Sequence, residues 1–405
     1  MTSTAQPAGT TRPMTAGLIL ILGALVALGP LTIDMYLPAF PAIAEDLSAS
    51  GTLVQLTLTG TLLGLAAGQL LIGPLSDAAG RRLPLILGIA LHVVASGLAV
   101  LAWDITVLGV LRVLQGVGAA AATVVAMAVV RDVSAGSAAA VVISRLMLVM
   151  GAAPVLAPSL GGVVLLAGSW RWIFAVLAVA GAMLILLAVI ALPETLPPQR
   201  RRSGPGQALR GYRAVLGDGR FILLIVVVGL AFGCLFGYIA GSSFVFQRQY
   251  GLGELQYALV FGAAGLVLIG GAQLNPPLLR RIAPERIIAG ALGLICVAGL
   301  ALVAAQAAGA EGIAWFMLPL FCMLAGVSLT VPNVTALALS RHGEAAGTAA
   351  AVLGAAQFGL GAAVTPLVGV LGNDGLATAA VMTGCGAMAA VGFVFYLTAG
   401  RQART

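Results

Sequence analysis

Lysine is absent from this 405-residue chain, and all twenty basic residues are arginine. That excludes a P-loop lysine, a Schiff-base lysine and Ser-Lys chemistry, and with them energy drawn from ATP hydrolysis by this chain. Charge of either sign is scarce: Asp, Glu, Lys and Arg make up 8% of the residues, against about 25% in soluble domains. Only two histidines, His92 and His342, and four widely spaced cysteines, Cys234, Cys296, Cys322 and Cys385, are present. No CxxC pair and no Cys/His cluster occurs, so no metal site or disulfide framework is expected. The cysteines read as packing residues, and His92, amid apolar neighbours, as a satisfied core histidine. No nucleophile-base pair is visible either, which argues against an enzyme.

What is present is apolar. The chain is 60% hydrophobic with a mean hydropathy of +1.10. Apolar runs of about 20 residues recur along its length, as spanning a ~30 Å hydrocarbon core by helices requires, without the period-two alternation of barrel strands. An all-α polytopic membrane protein is predicted. Breaking the runs at charges and Gly/Pro/Asp clusters predicts helices at 17–38, 52–75, 82–102, 105–130, 139–166 and 172–192. A second set follows at 221–243, 256–278, 284–308, 313–339, 346–371 and 376–399. Between them lies a hydrophilic linker, 193–220, with six arginines. The division is therefore 1–192, a six-helix bundle; 193–220, a linker; and 221–405, a second six-helix bundle of nearly equal length, as expected for pseudo-symmetric repeats with a site between them. The first apolar run continues past the length of a signal-peptide core, and no clear cleavage site follows it.

Placing the amino terminus in the cytoplasm puts seventeen arginines inside, among them Arg12, Arg202 and Arg404, with Arg171 and Arg248 outside and Arg112 within a span. This asymmetry predicts twelve spans with both termini cytoplasmic. Dispersal of the arginines among short loops, without interleaved aromatics, argues against a nucleic-acid partner.

Two charges remain inside predicted helices. Asp34, in LTIDMYLP, and Arg112, in LRVLQGVGAA, each carry a side chain that costs about 2.5–3.5 kcal/mol at a bilayer centre. On the predicted boundaries they lie four and seven residues from the outer ends of helices 1 and 4. Similar depth on helices of one half leads to the expectation that they pair or line one aqueous cavity. Arginine keeps its proton, whereas a buried carboxylate can exchange one, so Asp34 is the expected proton carrier and Arg112 its modulator.

At the end of the second predicted helix, GPLSDAAGRRLPL resembles the loop signature of the major facilitator superfamily through Gly73, Leu75, Asp77, Gly80, Arg81 and Arg82, departing from it at Ala78. Gly73 is expected to let helices approach, Gly80 to allow a tight turn, and Asp77 to face a helix amino terminus. Arg81 is expected to bridge Asp77 and Asp132, a set that would act as a conformational switch. Arg112, Gln115 and Gly116 resemble the second signature of that superfamily. GAAPVLAPSLGG, with Pro154, Pro158, Gly161 and Gly162, resembles its antiporter signature, with Ala153 and Ala157 where glycine is common; a bend and close backbone contact are expected there.

With IDMYLPAFP, SWRWIF, LPETLP and YIAGSSFVFQ added, nearly the whole chain resembles the twelve-helix drug:proton antiporters of the bicyclomycin and chloramphenicol resistance type. The resemblance implies a bacterial inner-membrane exporter, a monomer without cofactor and driven by the proton gradient, which carries small apolar or amphipathic compounds by alternating access. It implies a pocket between the halves with Asp34 and Arg112 on one wall. Pro30, Leu31, Ala119, Met150, Phe232, Phe236, Tyr238 and Gln357 are the expected lining. Methionine and aromatics suit a tolerant site because they repack around different ligands. A proton-coupled symporter for a metabolite or sugar is the alternative on the same fold, disfavoured by how few polar groups the spans contain.

Overall fold

The computed structural model describes residues 15–134, 136–201 and 205–402. Arg12, Arg202 and Arg404, assigned above to the cytoplasmic face, lie outside the described residues. Fourteen α-helices run in the order α1 (Ala16–Asp34), α2 (Phe40–Asp46), α3 (Gly51–Ala79), α4 (Arg82–Val100), α5 (Ile105–Val133), α6 (Gly136–Leu166), α7 (Arg171–Ala191), α8 (Pro205–Leu216), α9 (Gly219–Ser243), α10 (Glu254–Leu279), α11 (Pro284–Ala307), α12 (Ala314–Ser340), α13 (Ala346–Leu371) and α14 (Gly375–Gln402). No strand occurs among the described residues. Among the described residues twelve spans are long and apolar enough to cross a membrane, α1 with α2 forming the first and α9 with its extension the seventh.

Several spans begin at a side chain that accepts otherwise unpaired amide hydrogens, as a helix start requires. Ser50 Oγ accepts from Leu53 N (3.3 Å), Asp104 Oδ1 from Thr106 N (2.7 Å) and Asp218 Oδ1 from Arg220 N (3.0 Å). Within lipid the association of helices rests on close packing. On α3, Gly60, Gly64 and Gly68 bring its backbone onto α5: a Cβ at Gly64 would collide with the Val113 carbonyl, and one at Gly116 with the Thr61 carbonyl. The outer surface is apolar, Leu20 and Ile190 each being 74% exposed, which is the composition that hydrocarbon demands.

Three features depart from the sequence reading. The first predicted helix, 17–38, breaks after Asp34, passes through a 3-10 turn at Leu37–Ala39 and resumes as α2 to Asp46. Pro38 is the cause, because a proline has no amide hydrogen for the carbonyl four residues earlier and its ring crowds that carbonyl, here that of Asp34. Asp34 consequently stands near the middle of the span Ala16–Asp46, not four residues from its end. The linker holds a helix of its own, α8, and α9 runs on through a π-helical segment at Phe244–Gln249.

Candidate functional site

Arg112, on α5, has no exposed surface. Its Nη1 donates to Gln115 Oε1 and its Nη2 to the Thr32 carbonyl, both at 2.8 Å. The guanidinium carbon sits 4.0 Å from the centroid of the Tyr36 ring and 5.6 Å from that of Phe174, so two aromatic faces supply part of the stabilisation that water would have given. Tyr36 is fixed in turn: Thr57 donates its hydroxyl hydrogen to Val54 O (2.6 Å), so the Tyr36 hydroxyl donates to Thr57 Oγ1 at 3.0 Å.

Asp34 is 3% exposed and its Oδ1 has no hydrogen-bond partner. No salt bridge joins it to Arg112 among the described residues, which corrects the expected pair. Residues 32 and 34 point to nearly opposite sides of a helix with 3.6 residues per turn. Thr32 bonds to His92 on α4 and Arg112 on α5, and Asp34 points away from both, next to the turn at Leu37–Ala39 that packs on α9 and α10. The Tyr238 hydroxyl is also unpartnered, while Tyr257 donates to Ser242 Oγ at 3.0 Å.

Gly161, of the antiporter-like segment, ties α6 to this break: a Cβ there would collide with the Met35 carbonyl. Close backbone contact is thus what this glycine provides. Pro154 and Pro158 lie inside one continuous helix, α6. Of the expected lining, Phe232 and Phe236 cluster with Phe358, centroids 6.0–6.3 Å apart, and Tyr238 stacks on Phe261 at 5.4 Å. Pro30, Leu31, Met150 and Gln357 are half-buried, whereas Ala119 has no exposed surface.

At one end of the amino-terminal half, Arg81 Nη1 meets Asp77 Oδ1 at 2.5 Å and Arg81 Nε meets Asp132 Oδ2 at 2.8 Å. Ser76 Oγ and Thr195 Oγ1 join the cluster, on Arg81 and on Asp132. Burial opposes the charge on Arg81, but the bonds to Asp132 and then Asp77 outweigh it and hold its proton more tightly than usual. Two expectations change. Nothing lies within 4 Å of a Cβ built on Gly73, so that glycine is not a contact point here. The carboxylate at the amino end of α4 is Glu194, not Asp77: Glu194 Oε1 accepts from Arg81 N (2.9 Å) and Oε2 from Arg82 N (3.2 Å). Gly80, at φ +95°, lets the chain turn beneath it. The sequence alone assigns Glu194, within LPETLP, no role. A lone acid after the sixth predicted helix, facing a loop rich in arginine, was the available signal.

The two halves meet through polar contacts at the end remote from Arg81. Gln55 Nε2 donates to Asn373 Oδ1 (2.5 Å) and to Ala240 O (3.0 Å), and Gln247 Nε2 donates to Pro38 O (3.1 Å). Nearer the Arg81 end, α8 adds one bond, from the Tyr212 hydroxyl to Leu70 O at 2.8 Å. No group of three or more His, Cys, Asp or Glu that could hold a metal occurs among the described residues.

Twelve spans in two bundles around a buried, unpaired carboxylate define a membrane transporter rather than an enzyme. A family model described as Major Facilitator Superfamily matches residues 19–366, and the chain belongs to that superfamily. An uncharacterized MFS-type transporter of Bacillus subtilis is 37% identical, over 90% of this chain and 91% of its own. A bicyclomycin resistance protein homolog of Haemophilus influenzae is 30% identical over 94% and 96%. The multidrug resistance protein MdtL of Klebsiella pneumoniae is 31% identical over 82% and 83%. Among solved structures, a bacterial homolog to the human lysosomal transporter Spinster, inward-facing and occupied, superposes with a TM-score of 0.75, at 16% identity over 96% of this chain and 97% of that one. At that identity the likeness shows the fold alone.

Proposed function

We propose that the protein expels apolar or amphipathic drug-like compounds across the bacterial inner membrane in exchange for protons, with both termini cytoplasmic. The observation that carries this reading is Asp34: a buried carboxylate with an unpaired oxygen, at a helix break that packs against the other half. An isolated ionised carboxylate in such a place is costly, so the site favours either a proton or a ligand's donor group on it. Names of the Haemophilus and Klebsiella relatives point to antibiotics as the cargo. The arginine asymmetry supports the orientation; on that orientation the Arg81 cluster lies inside and the Gln55–Asn373 contacts join the halves on the periplasmic side. Arg112, held on the other side of α1 from Asp34, supplies a fixed positive field, and on this reading the compounds bind between Asp34, Tyr238 and the Phe232–Phe236–Phe358 cluster.

If proton and substrate each disfavour the other, substrate binding must release a proton, by the same linkage that weakens binding at low pH. Addition of bicyclomycin or chloramphenicol to detergent-solubilised protein is expected to release protons from the wild type and none from Asp34→Asn, which mimics the protonated carboxylate. Equal release from both proteins would move the proton to another residue and defeat the reading.

A further inference from the structure

The anchors of Arg112 belong to a closed circuit of buried side chains. Gln115, which accepts from Arg112, donates through Nε2 to Ser96 Oγ at 2.6 Å, and Ser96 donates to the His92 carbonyl at 2.7 Å. His92 Nε2 lies 2.9 Å from Thr32 Oγ1, and the Thr32 carbonyl accepts from Arg112. The hydrogens can be assigned. Thr32 gives its only hydroxyl hydrogen to Leu28 O at 2.6 Å, so it meets His92 as an acceptor and Nε2 carries the imidazole proton. His92 Nδ1 is left 3.5 Å from Ser96 Oγ, too far for a good acceptor of a second proton. The imidazole is therefore neutral; the ring braces the Thr32 arm of the circuit, and the backbone carbonyl of His92 braces the Ser96 arm.

We infer that His92 is a positioning residue for proton exchange: its imidazole fixes Thr32 and its backbone carbonyl, through Ser96, fixes Gln115, and together they hold the Arg112 guanidinium on the side of α1 opposite Asp34 and keep that cation from pairing with the carboxylate. The inference rests on the exchange reading above. Ionisable groups around the pair are Asp34 and Tyr36 from the first span, His92 on α4, Tyr238 on α9 and Tyr257 on α10. The described parts of α3, α6 and α7 add none at this level. Arg112 Nε has no partner, so a guanidinium released from its anchors has an unused donor to offer Asp34. Pairing would favour the ionised carboxylate, and Asp34 would then take up its proton only at lower pH.

The test needs no substrate. In protein reconstituted into liposomes, the infrared band of protonated Asp34, assigned by its loss in Asp34→Asn, is titrated against pH. His92→Ala is expected to move the midpoint towards acid by about one unit, a tenfold loss of proton affinity, with Ser96→Ala moving it the same way. His92→Gln, whose amide can still donate to Thr32, is expected to stay with the wild type. In ¹⁵N-histidine spectra of the His342→Asn background, where His92 is the one histidine left, the wild-type ring is expected to be neutral with its proton on Nε2. An unmoved midpoint in His92→Ala and Ser96→Ala overturns the inference, as does a proton found on Nδ1. If His92→Ala does not fold, Ser96→Ala decides. A wild type with no titrating band sinks the exchange reading, and the inference with it; a titrating band that the variants leave in place sinks the inference alone.

Discussion

Among the described residues the amino-terminal half buries, beside hydroxyls, an aspartate, two arginines, a histidine and two glutamines, Asp34, Arg81, Arg112, His92, Gln55 and Gln115, whereas the carboxy-terminal half buries, among polar side chains, only hydroxyls and two asparagines, beside a band of aromatics. In the second half Arg220, Arg248, Glu254, Glu285 and Arg286 stand at or near the ends of helices, where water or headgroups can reach them. Two bundles with the same architecture have thus divided the chemistry. The reason is energetic: a buried ion needs donors, acceptors and aromatic faces around it, and the circuit about Arg112 supplies them from three helices of a single half. That half becomes a rigid charged wall. The opposite wall, from Phe232 to Phe261, offers apolar area and one free hydroxyl, which suits cargo that varies in shape.

The comparison extends to the ends of the bundles, and there it can be broken most severely. Arg81 is shared by Asp77 and Asp132; in the second half Arg341 holds Asp218 alone, at 2.7 Å and 3.0 Å, with His342 at 3.4 Å. Asp77→Asn removes one of two acids from a buried arginine, so transport is expected to fall about tenfold or more, while drug affinity stays within about tenfold, or ~1.4 kcal/mol. Asp218→Asn keeps the cap on α9, since asparagine caps helices as well as aspartate does, and should reduce transport far less. Flux and ligand binding measured on the same reconstituted samples check this. Equal losses in both variants would erase the asymmetry between the halves.

A smaller effect is expected on the apolar wall. Phe236 packs against Gly361, where a Cβ would collide with its ring, so Phe236→Ala opens space beside Phe232 and Phe358. The apparent KM for bulky drugs should change by a few-fold up to about tenfold, with different drugs moving in different directions, and the pH profile of transport should not move. A shifted pH profile would show that proton chemistry is not confined to the first half.

The smallest effect belongs to Glu194. Burial raises its proton affinity, but the backbone N–H groups of Arg81, Leu196 and Arg82 outweigh that and hold its carboxyl below the usual range. A lowered folded value means that the stabilisation is complete above the ordinary carboxylate range and is lost as pH falls through the folded value. Because Glu194 is largely exposed, the contribution is under about 1 kcal/mol after solvent screening. Thermal unfolding of Glu194→Gln should accordingly be slightly lower than wild type at neutral pH and indistinguishable from it in strong acid. A difference that grew on acidification would refute the assignment.

Hydropathy, the linker and the glycine and proline punctuation were enough to read twelve spans in two sets, because lipid leaves a backbone few options and each span must satisfy its own hydrogen bonds. The loop motif likewise makes the meeting of Asp77, Arg81 and Asp132 legible, since the tight turn at Gly80 returns Arg81 to Asp77 and the end of α5 lies at the same membrane face. What sequence could not decide is direction. LTIDMYLP contains the cause of the break, Pro38, yet the expected helix runs unbroken over 17–38, because an apolar run does not show where the backbone changes direction within it. Two charges at similar depth lead to the expectation of a pair or a shared cavity, but depth carries no information about rotation about a helix axis, and rotation turns Thr32 towards His92 and Arg112 while turning Asp34 away from them. Nor could the sequence show that Glu194, more than a hundred residues from Arg81, caps α4 in place of Asp77. Residue identity set which charges must be buried; only the packing of α1 against α4, α5 and α6 decided which of them meet, because that packing is fixed by glycine contacts such as Gly161 on Met35 that join segments far apart in the chain.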